Sequence, residues 1–165
     1  MGVTMRAIAT ALALLFVAGA SFSAEPVVET QDQAALLKSN DPQLAANKKL
    51  VYDMWRTFIN AYHVDDAGKF LAPEYHQHNP NATTGLEGVK EYFRSLNLKT
   101  KPVPDRIENK VVSIVAERDL VVVALVREEK DKDGKPYTTT WFDMYRIANG
   151  KIVEHWDTAL KGVVP

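Results

Sequence analysis

The chain has 165 residues, 20 basic against 21 acidic side chains, four histidines and no cysteine. That balance offers no basic face for nucleic acid. The absence of cysteine rules out disulfides, thiolate catalysis, iron–sulfur clusters and cysteine-ligated zinc.

The first segment has the pattern of a secretory signal. Arg6 supplies a positive charge, Ile8 to Gly19 is a short apolar run, and small residues at Ala18-Gly19-Ala20 or Ser21-Phe22-Ser23 suit cleavage. The run is too short for a comfortable membrane span. We therefore expect residues 1–23 to be a signal peptide and the protein to be exported, periplasmic or secreted. Removing the signal takes Arg6 with it and leaves 19 basic against 21 acidic residues. Residues 24–46 are polar and read as a linker, with one short helix near Gln31 to Lys38. The domain is expected over 47–165, long enough for one core.

Asn47 to Tyr62 reads as a helix. Leu50, Val51, Met54, Trp55, Phe58, Ile59 and Tyr62 recur at helical spacing and form a wide apolar stripe. A second, short helix is expected over Asp65 to Leu71, stopped by Pro73. Glu74 to His78 reads as extended and ends at Asn79-Pro80. Thr84-Gly85-Leu86-Glu87 fits a capping box that opens a third helix to about Leu96.

Beyond Pro104 the character is β. Arg106 to Ala116, Asp119 to Glu129, Pro136 to Ala148 and Lys151 to Ala159 form four antiparallel strands joined by three tight turns, at Glu117-Arg118, around Gly134, and at Asn149-Gly150. Asn-Gly between alternating segments is a strong two-residue hairpin signal, since both positions take positive φ. Three helices followed by antiparallel strands predict an α+β fold, with the helices on the concave face of a curved antiparallel sheet. Such a cone leaves a mouth suited to a small molecule.

Three groups of residues can carry chemistry. His155 and Asp157 share one face of the last strand, where a carboxylate can orient an imidazole or act as base. With a regular two-residue turn, Ala148 pairs with Lys151 and Asp143 stands opposite Trp156. Asp143 is then on the other face, and only a bulge would bring it to His155 and Asp157. The alternative for His-x-Asp is a solvated strand face.

His76 and His78 also share a face if extended. They are candidates for a metal half-site, for a general base or carbonyl hydrogen-bond donor, or for plain loop residues. A metal would need Glu74, His155 or Asp157 as further ligands, and none has diagnostic spacing, so no metal is expected. Aromatic side chains including Trp55, Tyr62 and Tyr92 serve the core or line a cavity. No phosphate loop, dinucleotide fingerprint or nucleophile elbow is present. What remains is acid/base chemistry, or binding without chemistry.

Three motifs, Tyr75-His76-Gln77-His78-Asn79-Pro80, Gly85 to Phe93, and Phe142 to Asp157, together resemble the SnoaL-like branch of the nuclear transport factor 2-like superfamily. The resemblance spans Asn47 to Leu160. It implies a cone with a deep pocket, often a homodimer packed through sheets, and polyketide-cyclase chemistry: an aldol condensation without metal or cofactor, run by an acidic residue. Isomerases, dehydratases and non-catalytic binding domains share the fold. Carried onto this chain, Asp157 is the acid/base candidate, with His155 and His78 as pocket partners. His76, Asn79, Tyr62, Trp55 and Tyr92 are the candidate substrate-binding residues. The expected partner is a small hydrophobic or carbonyl-containing molecule. An exported, non-catalytic binder of small molecules is the alternative.

Overall fold

A computed structural model describes residues 24–162. The segment read as a signal peptide lies outside the described residues.

Five strands form one sheet: β1 (Leu71–Gln77), β2 (Val111–Glu117), β3 (Leu120–Lys130), β4 (Pro136–Ala148) and β5 (Lys151–Asp157), in the spatial order β1-β5-β4-β3-β2. The helices α1 (Gln33–Leu36), α2 (Pro42–Met54) and α3 (Leu86–Ser95) accompany it. The architecture is the expected α+β cone. The four C-terminal strands pair antiparallel, as the hairpin signals require. The extended segment expected near Glu74 begins earlier, at Leu71, and joins the sheet as a fifth strand parallel to β5. Pro73 is tolerated there because β1 is an edge.

The segment read as a linker is packed instead. Gln33, in α1, is buried, and its side-chain amide bonds both the N–H and the C=O of Ile107 and accepts from the Tyr52 hydroxyl. Thr30 N–H donates to Val111 C=O at the free edge of β2, and Val27 N–H donates to Thr138 Oγ1. Polar composition reads as a linker, yet these residues supply the partners that buried backbone groups need.

α2 starts at Pro42, five residues before the expected Asn47. Asp41 caps it by accepting from Gln43 and Leu44 N–H, and Pro42 sits at the first position, where its missing N–H costs nothing. The helix continues as a π-helical turn over Trp55–Asn60 and stops at Tyr62, which has positive φ. A 3₁₀ segment, Val64–Lys69, replaces the second helix.

The expected capping box at α3 does not form. Gly85 occupies the cap, at φ 86°, with no side-chain cap bond. The Thr84 hydroxyl is turned to β1, where it accepts from Gln77 N–H and donates to Tyr75 C=O, and Glu87 pairs with Lys90. Gly85 N–H also reaches Tyr75 C=O. The loop therefore covers the exposed edge of β1, a stronger demand than capping one helix.

Asn149 and Gly150 both have positive φ, at 50° and 70°, as the turn demands, and Ala148 pairs with Lys151. The register then shifts. Ile147 pairs with Ile152, but Arg146 pairs with Glu154, so Val153 is an extra residue in β5. Without this bulge Glu154 would oppose the buried Tyr145. With it, Glu154 meets Arg146 at 2.9 Å on the outer face, and Ile147 and Ile152 remain in the core. The core lies between α2 and the concave face, around Val51, Phe58, Ile107, Ile114, Val121 and Ile152.

Candidate functional site

The bulge decides what the hollow contains. Beyond it, Tyr145 pairs with His155 and Asp143 pairs directly with Asp157. Paired residues share a face, so Asp143, His155 and Asp157 all point inward. The regular-hairpin reading, which sent Asp143 to the far face, is corrected here by one extra residue.

These three side chains line a cavity of about 640 Å³ between the sheet, α2 with its π-helical turn, and α3. Phe58, Phe93, Tyr75, Tyr145 and Trp141 also line it. The sequence candidates Trp55, Tyr62, Tyr92 and Asn79 are in the wall as well.

His78 and His76 are not. β1 lies beside β5 with His76 opposite Glu154 and Gln77 opposite His155. Alternation then sends Tyr75 and Gln77 inward, and His76 and His78 outward. His78 Nε2 lies 2.8 Å from Glu154 Oε1, and the ring stacks on Trp156 with centroids 5.1 Å apart. The Glu154 carboxyl is held below the usual range by His78 and Arg146. His78 therefore has no access to the cavity, and the His76/His78 half-site cannot combine with His155 or Asp157.

Sequence reasoning missed Gln77. Its Oε1 accepts from Asn79 N–H and lies 2.9 Å from His155 Nδ1, while its Nε2 donates to the Tyr75 hydroxyl. An oxygen that already accepts one hydrogen bond makes the imidazole the donor, so Nδ1 carries a proton. His155 Nε2 then faces Asp143 Oδ1 at 2.8 Å with one proton shared between them. Tyr145 stacks on the imidazole at 4.7 Å and fixes its plane. Asp157 is held by Asn79 Nδ2 at 2.6 Å and Ala159 N–H at 2.9 Å.

Burial pushes the Asp143 carboxyl above its ordinary value. The nearby Asp157 charge adds to that, and His155 and the Trp141 indole oppose it. Burial likewise raises the Tyr75 and Tyr145 hydroxyls, with Asp143 adding, so both stay neutral. Among the described residues, two buried side-chain atoms of the wall, Asp143 Oδ2 and the Trp55 indole Nε1, have no partner at good hydrogen-bond geometry. The Trp55 indole opposes the rise of the Tyr145 hydroxyl.

Among the described residues, Asp143, His155 and Asp157 can each offer one ligand atom, with all three atoms within 4.8 Å of one another. Glu74, the other acidic candidate, is exposed and apart from them. The arrangement can accept, hold and return a proton inside an aromatic hollow.

A family model described as SnoaL-like polyketide cyclase matches residues 49–159. No curated protein matches the chain. Solved structures similar in fold include TsrD from Streptomyces laurentii, at 19% identity and TM-score 0.47 over 72% of this chain and 90% of that one. A putative polyketide cyclase from Acidithiobacillus ferrooxidans aligns at 16% identity and TM-score 0.49 over 73% of this chain and 89% of that one. A putative SnoaL-like polyketide cyclase from a Jannaschia species aligns at 16% identity and TM-score 0.49 over 73% and 91%.

Proposed function

The chain belongs to the SnoaL-like polyketide cyclase family, and from that premise we propose that it is a cofactor-independent acid/base enzyme acting on a small carbonyl compound, in an aldol-type cyclisation, isomerisation or dehydration. The observation that carries this reading is the meeting of Asp143, His155 and Asp157 on one inward face, with His155 Nε2 2.8 Å from Asp143 Oδ1.

Asp157 is the more accessible carboxylate, and Asn79 and the Ala159 amide hold it in place. It removes a proton from the carbon next to the substrate carbonyl. Negative charge moves to the carbonyl oxygen, and the outward-facing His78 plays no part in holding it. In an aldol step the enolate carbon bonds to a second carbonyl carbon. The π bond of that second carbonyl breaks, its oxygen becomes an alkoxide and takes the proton held between Asp143 and His155, and Asp157 returns the substrate proton to that pair. The aromatic walls hold the apolar remainder of the substrate.

The test follows exchange of the α-protons of aryl alkyl ketones in deuterated buffer by NMR. The wild-type protein and His78→Gln are expected to accelerate exchange equally. Ligand binding with no acceleration would overturn the enzymatic reading in favour of a binding domain.

Two further properties belong to the same proposal. Export is supported by Arg6 and the apolar run after it. A homodimer through the outer sheet face is supported by Phe142 and Val115, which that face leaves exposed.

A further inference from the structure

The inward cluster has features that proton transfer alone does not need. Its three ligand atoms lie within 4.8 Å of one another. Around a zinc ion with bonds near 2.0–2.2 Å, such atoms sit about 3.5 Å apart, so a contraction of about 1 Å forms the set. The imidazole is already prepared. Its Nδ1–H is tied to the Gln77 carbonyl oxygen, which leaves Nε2 as the ligating nitrogen, in the arrangement that orients metal-bound histidines. Asp157 is likewise oriented from outside, by Asn79 and the Ala159 amide. Asp143 is 6% exposed, and its Oδ2 has no partner at good hydrogen-bond geometry. That oxygen is a buried acceptor in the cluster and is available to a cation.

We propose that Asp143, His155 and Asp157 form a binding site for a divalent first-row transition cation. Two carboxylates and one imidazole suit zinc or manganese, and their charge balances a dication. Calcium and magnesium favour all-oxygen shells and are the wrong class for a donor set built around an imidazole. A cation there engages the same three groups that handle protons, so the bound form is inhibited. The site stands on geometry alone and does not depend on whether the protein turns over a substrate.

The experiment is calorimetric titration of the chelator-stripped full chain with zinc chloride and with manganese chloride, paired with thermal unfolding in each salt. One site per chain is expected, with a rise in Tm that grows with metal concentration. Gln77→Ala removes the carbonyl that orients His155 and is expected to weaken zinc binding by about 10- to 100-fold. Asp143→Asn is expected to weaken it at least as much. His78→Gln, which alters the outward His78–Glu154 pair, is expected to leave the affinity unchanged. Absence of binding at millimolar zinc, or binding untouched by both inward variants, would overturn the site. Loss in His78→Gln would assign the metal to the outer face and overturn it as well. The ketone-exchange assay is read separately on metal-free protein, so failure of either reading leaves the other intact.

Discussion

Asp157→Asn is expected to lower ketone α-proton exchange by about 10²- to 10⁴-fold, the range that a positioned general base contributes. Stability should barely change. Asparagine is nearly isosteric and still offers an oxygen to the Ala159 amide. The lost bond from Asn79 is offset by removing a like charge from Asp143, which Asp157 opposes directly. A fall in Tm of less than about 4 °C is expected. The same variant has an electrostatic signature. Asp157 is one cause of the raised Asp143 carboxyl, so its neutralisation should let Asp143 lose its proton at lower pH. NMR titration of the Asp143 side-chain carboxyl carbon reads this directly. An unchanged titration would refute the coupling of the two carboxylates, and full activity in Asp157→Asn would refute the general-base role.

The sign of the stability effect follows from the same shift. A carboxyl whose folded value is raised binds its proton more tightly in the folded state than in the unfolded chain. Its contribution therefore falls as pH rises from the ordinary carboxylate value of 3.8 through the raised folded value, and is constant above it. Acidification across that window relieves the cost of burying Asp143, and Asp143→Asn should remove this part of the pH slope.

Gln33→Ala is expected to cost about 3 kcal/mol. Three bonds are lost together: to the N–H and C=O of Ile107, each at 3.0 Å, and from the Tyr52 hydroxyl at 3.0 Å. Ile107 is fully buried, so water cannot replace the missing partners, and each orphaned group costs about 1–3 kcal/mol. Urea unfolding followed by tryptophan fluorescence measures it. A loss below about 1 kcal/mol would mean that residues 27–40 are a tether after all, detached without consequence to the core.

This last case shows where composition misleads. Glutamine, aspartate and serine in 24–46 have the chemistry of a linker, and nothing local distinguishes a solvated amide from one that satisfies a distant strand. Thr84 is similar. Its spacing to Glu87 fits a capping box, but the edge of β1 claims its hydroxyl. In both, a long-range partner outbids the local one because the alternative is an unsatisfied buried backbone group. The Asp41-Pro42 cap, by contrast, is legible in the chain itself, ahead of the apolar stripe that begins at Leu50.

The site divides in the same way. His155 and Asp157 were legible because strand alternation places i and i+2 together. Gln77 was hidden because the two histidines flanking it look more reactive, and alternation from the neighbouring strand turns them both out. Asp143 was hidden by one residue. A charge pattern could have revealed it: only the bulged register sets Glu154 against Arg146 instead of against buried Tyr145.

The linear order of residues settles the α+β class, the four antiparallel C-terminal strands and the His155–Asp157 face, because these follow from periods of 3.6 and 2 and from turn residues with positive φ. It does not settle which carboxylate joins that face or which β1 residues meet it. Those are properties of register between strands far apart in the chain. A slip of one position inverts every side chain, and the choice is made by the combined burial and charge pairing of the whole sheet.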